Sequence, residues 1–149
     1  MHKLLFAILL IPFLSLGQHT VEITFSSKNL SDNRRIWVAL PKYYDLRKDS
    51  CHLIYLFDGN NQSLFNLTVS AKRFLEDNAV DLNDFNAPAS IIVGIEQRNR
   101  VTDFADSAAG FLRFLSDELM PYIQTKYRTL PYTILIGHSL GGRFAIFPF

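Results

Sequence analysis

Short, nearly unbroken apolar runs alternate along this chain with stretches whose apolar residues recur every three or four positions, and no other feature narrows the fold so far. His52 to Phe57, Ser90 to Ile95 and Tyr132 to Ile136 are rich in Ile, Leu, Val and Tyr, as strands buried on both faces must be. Between them, Leu64, Leu67, Ala71, Phe74 and Leu75 repeat at helical spacing, and so do Phe111, Leu115, Leu119, Ile123 and Tyr127. Ahead of both, Val21 to Phe25 and Ile36 to Leu40 alternate apolar with polar residues around a turn-forming stretch, Ser26 to Asn33, which predicts an antiparallel pair. The order is therefore β, β, β, α, β, α, β. Right-handed crossovers then imply an α/β fold: a mostly parallel sheet with helices on both faces, an antiparallel N-terminal edge, and ligands at the carboxyl ends of the strands. Asp106 or Ser107 is placed to cap the second helix, and Pro121 to kink or restart it.

With 149 residues and no internal repeat, low-complexity tract or linker, the chain is read as one domain behind a leader. Lys3, the apolar run Leu4 to Leu14 and the small residues Ser15 and Gly17 predict a signal peptide over 1–17, leaving 18–149 as the mature part. That run falls short of the roughly 20 residues that span a bilayer, so a cleaved signal is favoured over an anchor. No cysteine follows the leader and no later run is long enough to span, so the expectation is export to the periplasm or beyond, without stable membrane insertion after cleavage. Fifteen Lys and Arg nearly balance fourteen Asp and Glu with no block of like charge, which argues against a nucleic-acid or anionic-membrane surface and for a small-molecule partner. Cys51 is the single cysteine, so no intrachain disulfide can form, and it is read as a small residue at a strand entrance rather than a reactive thiol. Asn29, Asn61 and Asn66 each begin a glycosylation sequon, relevant only in a host that glycosylates exported proteins. No metal-ligand spacing is present.

Gly137-His138-Ser139-Leu140-Gly141-Gly142 follows the last buried run directly and opens the apolar segment Arg143 to Phe147. G-x-S-x-G in that setting fits a nucleophile elbow, in which a serine sits on a strained strand-to-helix turn. Gly137 and Gly141 then remove the β-carbons that would collide as the backbone doubles back. The bare pattern is weak; its place after a buried strand carries the reading. Asp58-Gly59-Asn60 follows an earlier buried run, where this architecture builds the other half of an oxyanion hole. Backbone N–H groups of Asn60 and Leu140 are therefore assigned as oxyanion donors and Ser139 as the catalytic nucleophile. Alone, Asp58-Gly59 would read as an ordinary turn.

These stretches together resemble the "Putative esterase" family of α/β-hydrolases, which includes esterase D, feruloyl esterases, siderophore esterases and mycolyltransferases. The resemblance rests on Arg35 to Pro41, Leu53 to Gly59, Ile91 to Ile95 with Arg100 and Asp103, Phe111, Phe114-Leu115, Glu118-Leu119, Pro121, Ile123, Tyr127-Arg128-Thr129 and the elbow. It implies hydrolysis or acyl transfer of a small-molecule or carbohydrate-linked ester, with Ser139 as nucleophile, the amides of Asn60 and Leu140 as oxyanion donors, and no metal or organic cofactor. Two departures stand out. Arg100 to Phe111 is shorter than the family usually has. Leu140 to Phe149 contains no Asp, Glu or His, whereas the acid and histidine of this fold follow the nucleophile. His52 is expected at the opposite end of its strand, His2 and His19 lie at the amino terminus, and His138 points away from its neighbour, so none is the base. Asp103 and Asp106 are read as loop carboxylates or helix caps. The expectation is thus the N-terminal part of an α/β-hydrolase domain, truncated after the elbow and inactive alone. The competing reading is a non-catalytic binding module on a decayed hydrolase frame.

Overall fold

The computed structural model describes residues 20–46, 48–77 and 88–147. The expected signal over 1–17 lies outside them, as do His2, His19 and Pro148. Five strands form one sheet in the order β1 (Thr20–Ser27), β2 (Asp32–Ala39), β4 (Ser90–Ile95), β3 (Cys51–Leu56), β5 (Thr129–Ile136). β1 and β2 are antiparallel to each other, β2 is antiparallel to β4, and β4, β3 and β5 run parallel. The expected α/β-hydrolase architecture, parallel in the centre with an antiparallel N-terminal edge, is thus present.

Strand boundaries differ from the periodicity where pairing rather than burial decides them. The hairpin ladder runs to Ser27↔Asp32, so the turn expected over Ser26 to Asn33 shrinks to four residues. β5 starts at Thr129 and includes Pro131, opposite a register shift between Cys51 and Leu53. A proline without an N–H is tolerated because β5 is the outer strand among the described residues. For the same reason β5 is not buried on both faces as its apolar run suggests: Tyr132 is 76% and Ile134 50% exposed.

The pleat sends alternate side chains to two apolar layers. Ile36, Val38, Leu53, Tyr55, Ile91, Val93 and Ile95 face one, while Trp37, Ala39, Ile54, Leu56 and Ile92 face the other. α1 (Gln62–Asp77) covers the second layer through Phe65 and Val69. Gly94 makes room for it, since a β-carbon there would lie 2.7 Å from the Phe65 ring. The first layer is covered by the segment 102–126. Where one helix is expected, this segment is a π-helical turn (Thr102–Asp106), α2 (Ala108–Arg113), a second π-helical stretch (Phe114–Leu119) and α3 (Met120–Lys126). Pro121 stands in the first turn of α3, as a restart requires. Ser107 precedes α2 without a side-chain cap, so neither it nor Asp106 plays the expected capping part.

The first π turn, closed by Ser107 N–H to the Thr102 carbonyl at 2.8 Å, turns two consecutive side chains inward. Asp103, 2% exposed, takes a bidentate grip from Arg34 at 2.6 and 2.9 Å. Arg34 also donates to Asp32 at 3.0 Å and to the Glu96 carbonyl at 3.3 Å. Burial alone would lower the Arg34 pKa, but the bonds and charges of Asp103 and Asp32 hold it above its ordinary value. Phe104 joins Phe57, Phe111 and Phe144 in a closed tetrad, every ring pair 5.3–6.0 Å between centroids. Those rings come from the end of β3, the π turn, α2 and α4 (Leu140–Ile146), so they lock four elements together.

Phe144→Ala is expected to lower unfolding free energy by about 3–5 kcal/mol, read from denaturant melts. A second test concerns Glu96, which accepts the Arg35 backbone N–H at 2.9 Å and its guanidinium at 2.9 and 3.1 Å. Burial would raise the Glu96 pKa, yet the Arg35 bonds and the Arg35 and Arg98 charges keep it below its ordinary 4.5. A depressed carboxylate contributes stability above its unfolded pKa and loses it as pH falls through the folded value. Below pH 4.5, melting midpoints should therefore fall more steeply in the native chain than in Glu96→Gln.

Candidate active site

β5 ends at Ile136 and α4 begins at Leu140, leaving three residues to reverse the backbone. Ser139 takes the strain, with φ 53° and ψ −117°, a conformation that costs a non-glycine residue about 1–3 kcal/mol. The glycines around it serve close approach, since none among the described residues has positive φ. A β-carbon on Gly137 would lie 2.4 Å from the Gly141 carbonyl carbon and oxygen. One on Gly142 would stand 3.0 Å from the Gly137 oxygen. Gly141 is buried against the tetrad, its β-carbon position 3.3 Å from the Phe104 ring and 3.5 Å from Phe57 Cβ. Strand and helix can therefore fold back on each other, while Phe144 pins the helix to the core. Ser139 stands exposed at the apex.

β3 lies beside β5 in parallel register, with Leu56 opposite Ile136 and the Phe57 N–H donating to the Ile136 carbonyl at 2.9 Å. The turn after β3 therefore leaves the sheet at the same end as the elbow. Asp58 also has positive φ, 57°. Gly59 presses on the β4 backbone, where a β-carbon would meet Gly94 C and Ile95 N at 2.5 Å, and its N–H donates to the Ile95 carbonyl at 2.8 Å. Asn60 follows, exposed, and Asn61 starts α1 by accepting the Leu64 N–H at 3.2 Å. Among the described residues, neither the Asn60 nor the Leu140 backbone N–H has a hydrogen-bond partner.

A third loop, after β4, supplies contacts that residue periodicity does not reveal. Gln97, 5% exposed, accepts the Asp58 N–H on Oε1, and its own N–H donates to Asn60 Oδ1 at 3.1 Å. Arg100 places Nε 2.8 Å from Asp58 Oδ1 and donates from Nη2 to the His138 carbonyl at 2.8 Å. The Nε contact is an ion pair whose N–H is not aligned for a hydrogen bond.

The remaining polar residues stand apart. Asp103 is committed to Arg34 inside the core and Asp106 is exposed on the π turn. His52 is the second residue of β3, at the end of the sheet away from the elbow, its N–H bonded to the Ala89 carbonyl at 3.0 Å. His138 is exposed, and the Ser139 hydroxyl makes no hydrogen bond among the described residues. No cluster of His, Cys, Asp or Glu suited to a metal occurs among the described residues, and no described helix is long and apolar enough to cross a membrane.

Comparison with known proteins agrees with this fold. The chain is similar to an IroE-like serine hydrolase from Shewanella oneidensis, with 28% identity and a TM-score of 0.72 over 85% of this chain and 44% of that one. It is similar in fold to the BES protein of Bacillus cereus, with 22% identity and a TM-score of 0.70 over 96% of this chain and 58% of that one. The enterobactin esterase FES of Shigella flexneri shares the fold at 19% identity and a TM-score of 0.58, over 87% of this chain and 32% of that one. The chain thus spans from about a third to somewhat over half of the length of these relatives. No functionally curated protein matches the sequence. The sequence profile described as "Putative esterase" matches residues 27–147, and the chain belongs to that family.

Proposed function

We propose that this chain carries the nucleophile and the oxyanion hole of an exported serine carboxylic-ester hydrolase. One observation carries the reading: Ser139 is held at positive φ on the tip of β5, beside a β3 turn that leaves a backbone N–H free, as the elbow itself does. In the proposed reaction Ser139 Oγ attacks the ester carbonyl and passes its proton to a histidine base. The amides of Asn60 and Leu140 receive the negative charge on the carbonyl oxygen, worth a few kcal/mol in the transition state. Collapse expels the alcohol, which takes the proton from the histidine, and water then releases the acid by the reverse proton path. Since 140–149 contain no Asp, Glu or His, the base and its orienting acid are proposed to come from beyond Phe149.

The substrate is proposed to be a small-molecule or carbohydrate-linked ester. The serine-hydrolase likeness supports ester chemistry, and the balanced charge of the chain argues against a nucleic-acid partner. The basic start and apolar run that predict a leader over 1–17 support a periplasmic or extracellular site of action. The second reading, a binding module without turnover, draws on the Ser139 hydroxyl having no hydrogen-bond partner among the described residues.

Hydrolysis of a fluorogenic short-chain ester distinguishes the two. The 149-residue chain alone should show background turnover, because an unactivated hydroxyl is a poor nucleophile. The reading frame extended past the Phe149 codon should hydrolyse the ester, and Ser139→Ala should reduce its kcat by at least about 10³-fold. Turnover that survives that substitution removes Ser139 from the mechanism, and an extended frame that never turns over favours the binding module.

A further inference from the structure

The proposed oxyanion donors sit on two separate loops, and an oxyanion hole works only if its donors keep a fixed separation as charge develops. Strand pairing sets the positions of Leu56 and Ile136, but Asn60 and Leu140 each lie four residues further along. Both intervening turns contain a residue at positive φ, Asp58 and Ser139, and such conformations persist only where the surroundings over-determine them. Arg100 is a single side chain that touches both turns. Its Nε faces the Asp58 carboxylate at 2.8 Å, two residues before Asn60. Its Nη2 donates at 2.8 Å to the His138 carbonyl, two residues before Leu140. The His138 carbonyl also accepts the Gly141 N–H at 3.0 Å, so the oxygen of the peptide from which Ser139 turns takes two donors. Gln97, three residues before Arg100, secures the Asp58 N–H and the Asn60 side chain.

We propose that Arg100 is a positioning residue that sets the spacing of the Asn60 and Leu140 amides by bridging the turn after β3 to the elbow after β5. This role presupposes the oxyanion donors named under the proposed function, and it does not require Arg100 to touch substrate. A planar guanidinium suits it, because Nη2 donates to the His138 carbonyl while Nε stays in ion-pair contact with Asp58, two separated nitrogens that a lysine ammonium does not have. The Arg100 side chain is 40% exposed, so the ion pair adds little to global stability and its loss leaves the fold standing.

The test compares Arg100→Met, Arg100→Lys and the exposed control Arg113→Met, by amide NMR of the full chain and by ester turnover of the extended reading frame. Arg100→Met should shift the amide resonances of 58–60 and 138–140 together, and Arg113→Met should shift neither. Turnover should fall about 100-fold in kcat, the scale of a misplacement near 1 Å, with KM little changed. Arg100→Lys should restore neither kcat nor the joint shift. Shifts confined to the loop around Arg100, or full kcat in Arg100→Lys, would overturn the bridging role. If Ser139→Ala retains turnover, the esterase reading fails instead, and the amide shifts still decide whether Arg100 couples the two turns.

Discussion

Four phenylalanine rings in mutual contact hold the functional end of this molecule together. Phe57 directly follows β3, Phe104 hangs from a π turn, Phe111 belongs to α2 and Phe144 to the helix behind Ser139. α4 has seven residues, below the length at which a helix persists in water by itself. Its position is set by Phe144 in the tetrad and by Gly141 against Phe104 and Phe57. The elbow is therefore a consequence of the core: the serine can be strained because the residues on either side of it are immobilised by apolar packing.

Strain and polarity are then arranged around that anchor. Asp58 and Ser139 both occupy left-handed backbone space, and each is the pivot of a turn at the carboxyl end of a parallel strand. The loop after β4 lies between them in function. Gln97 and Arg100 reach the two turns with side chains, while three residues further on Asp103 ties the same loop to Arg34 on β2. A buried bidentate pair of this kind contributes geometric definition more than net stability, because desolvation of two charges offsets much of their attraction. One loop thus couples the antiparallel edge of the sheet to the site.

Much of this was legible from residue order. Ser90 to Ile95 is a strand with the boundaries its apolar run suggests, and a helix stands where Leu64 to Leu75 predict one, but it buries Phe65 and Val69 while Leu67, Phe74 and Leu75 are exposed. The Gly137 to Gly142 motif announces a tight strand-to-helix turn, since two close backbone approaches leave no room for β-carbons. Less was legible between Arg100 and Tyr127. The four-residue spacing of Phe111 to Tyr127 is a helical signal, but it does not distinguish one helix from a succession of α and π segments. Asp103 looked like a surface carboxylate because its partner is 69 positions away in the sequence.

The sequence by itself determined the kinds of element, their order, and the place where a serine must sit on a constrained turn. These follow from short-range causes: hydrophobic period, glycine sterics and proline geometry act within a few residues. Only the tertiary structure decided which side chains meet at the site. Arg100 finds Asp58 and His138, Gln97 finds Asp58 and Asn60, and Phe57 finds Phe144, because the strand order β4-β3-β5 brings three loops to one end of the sheet. Contacts across such distances leave no periodic trace along the chain; they exist only once the sheet has closed its register.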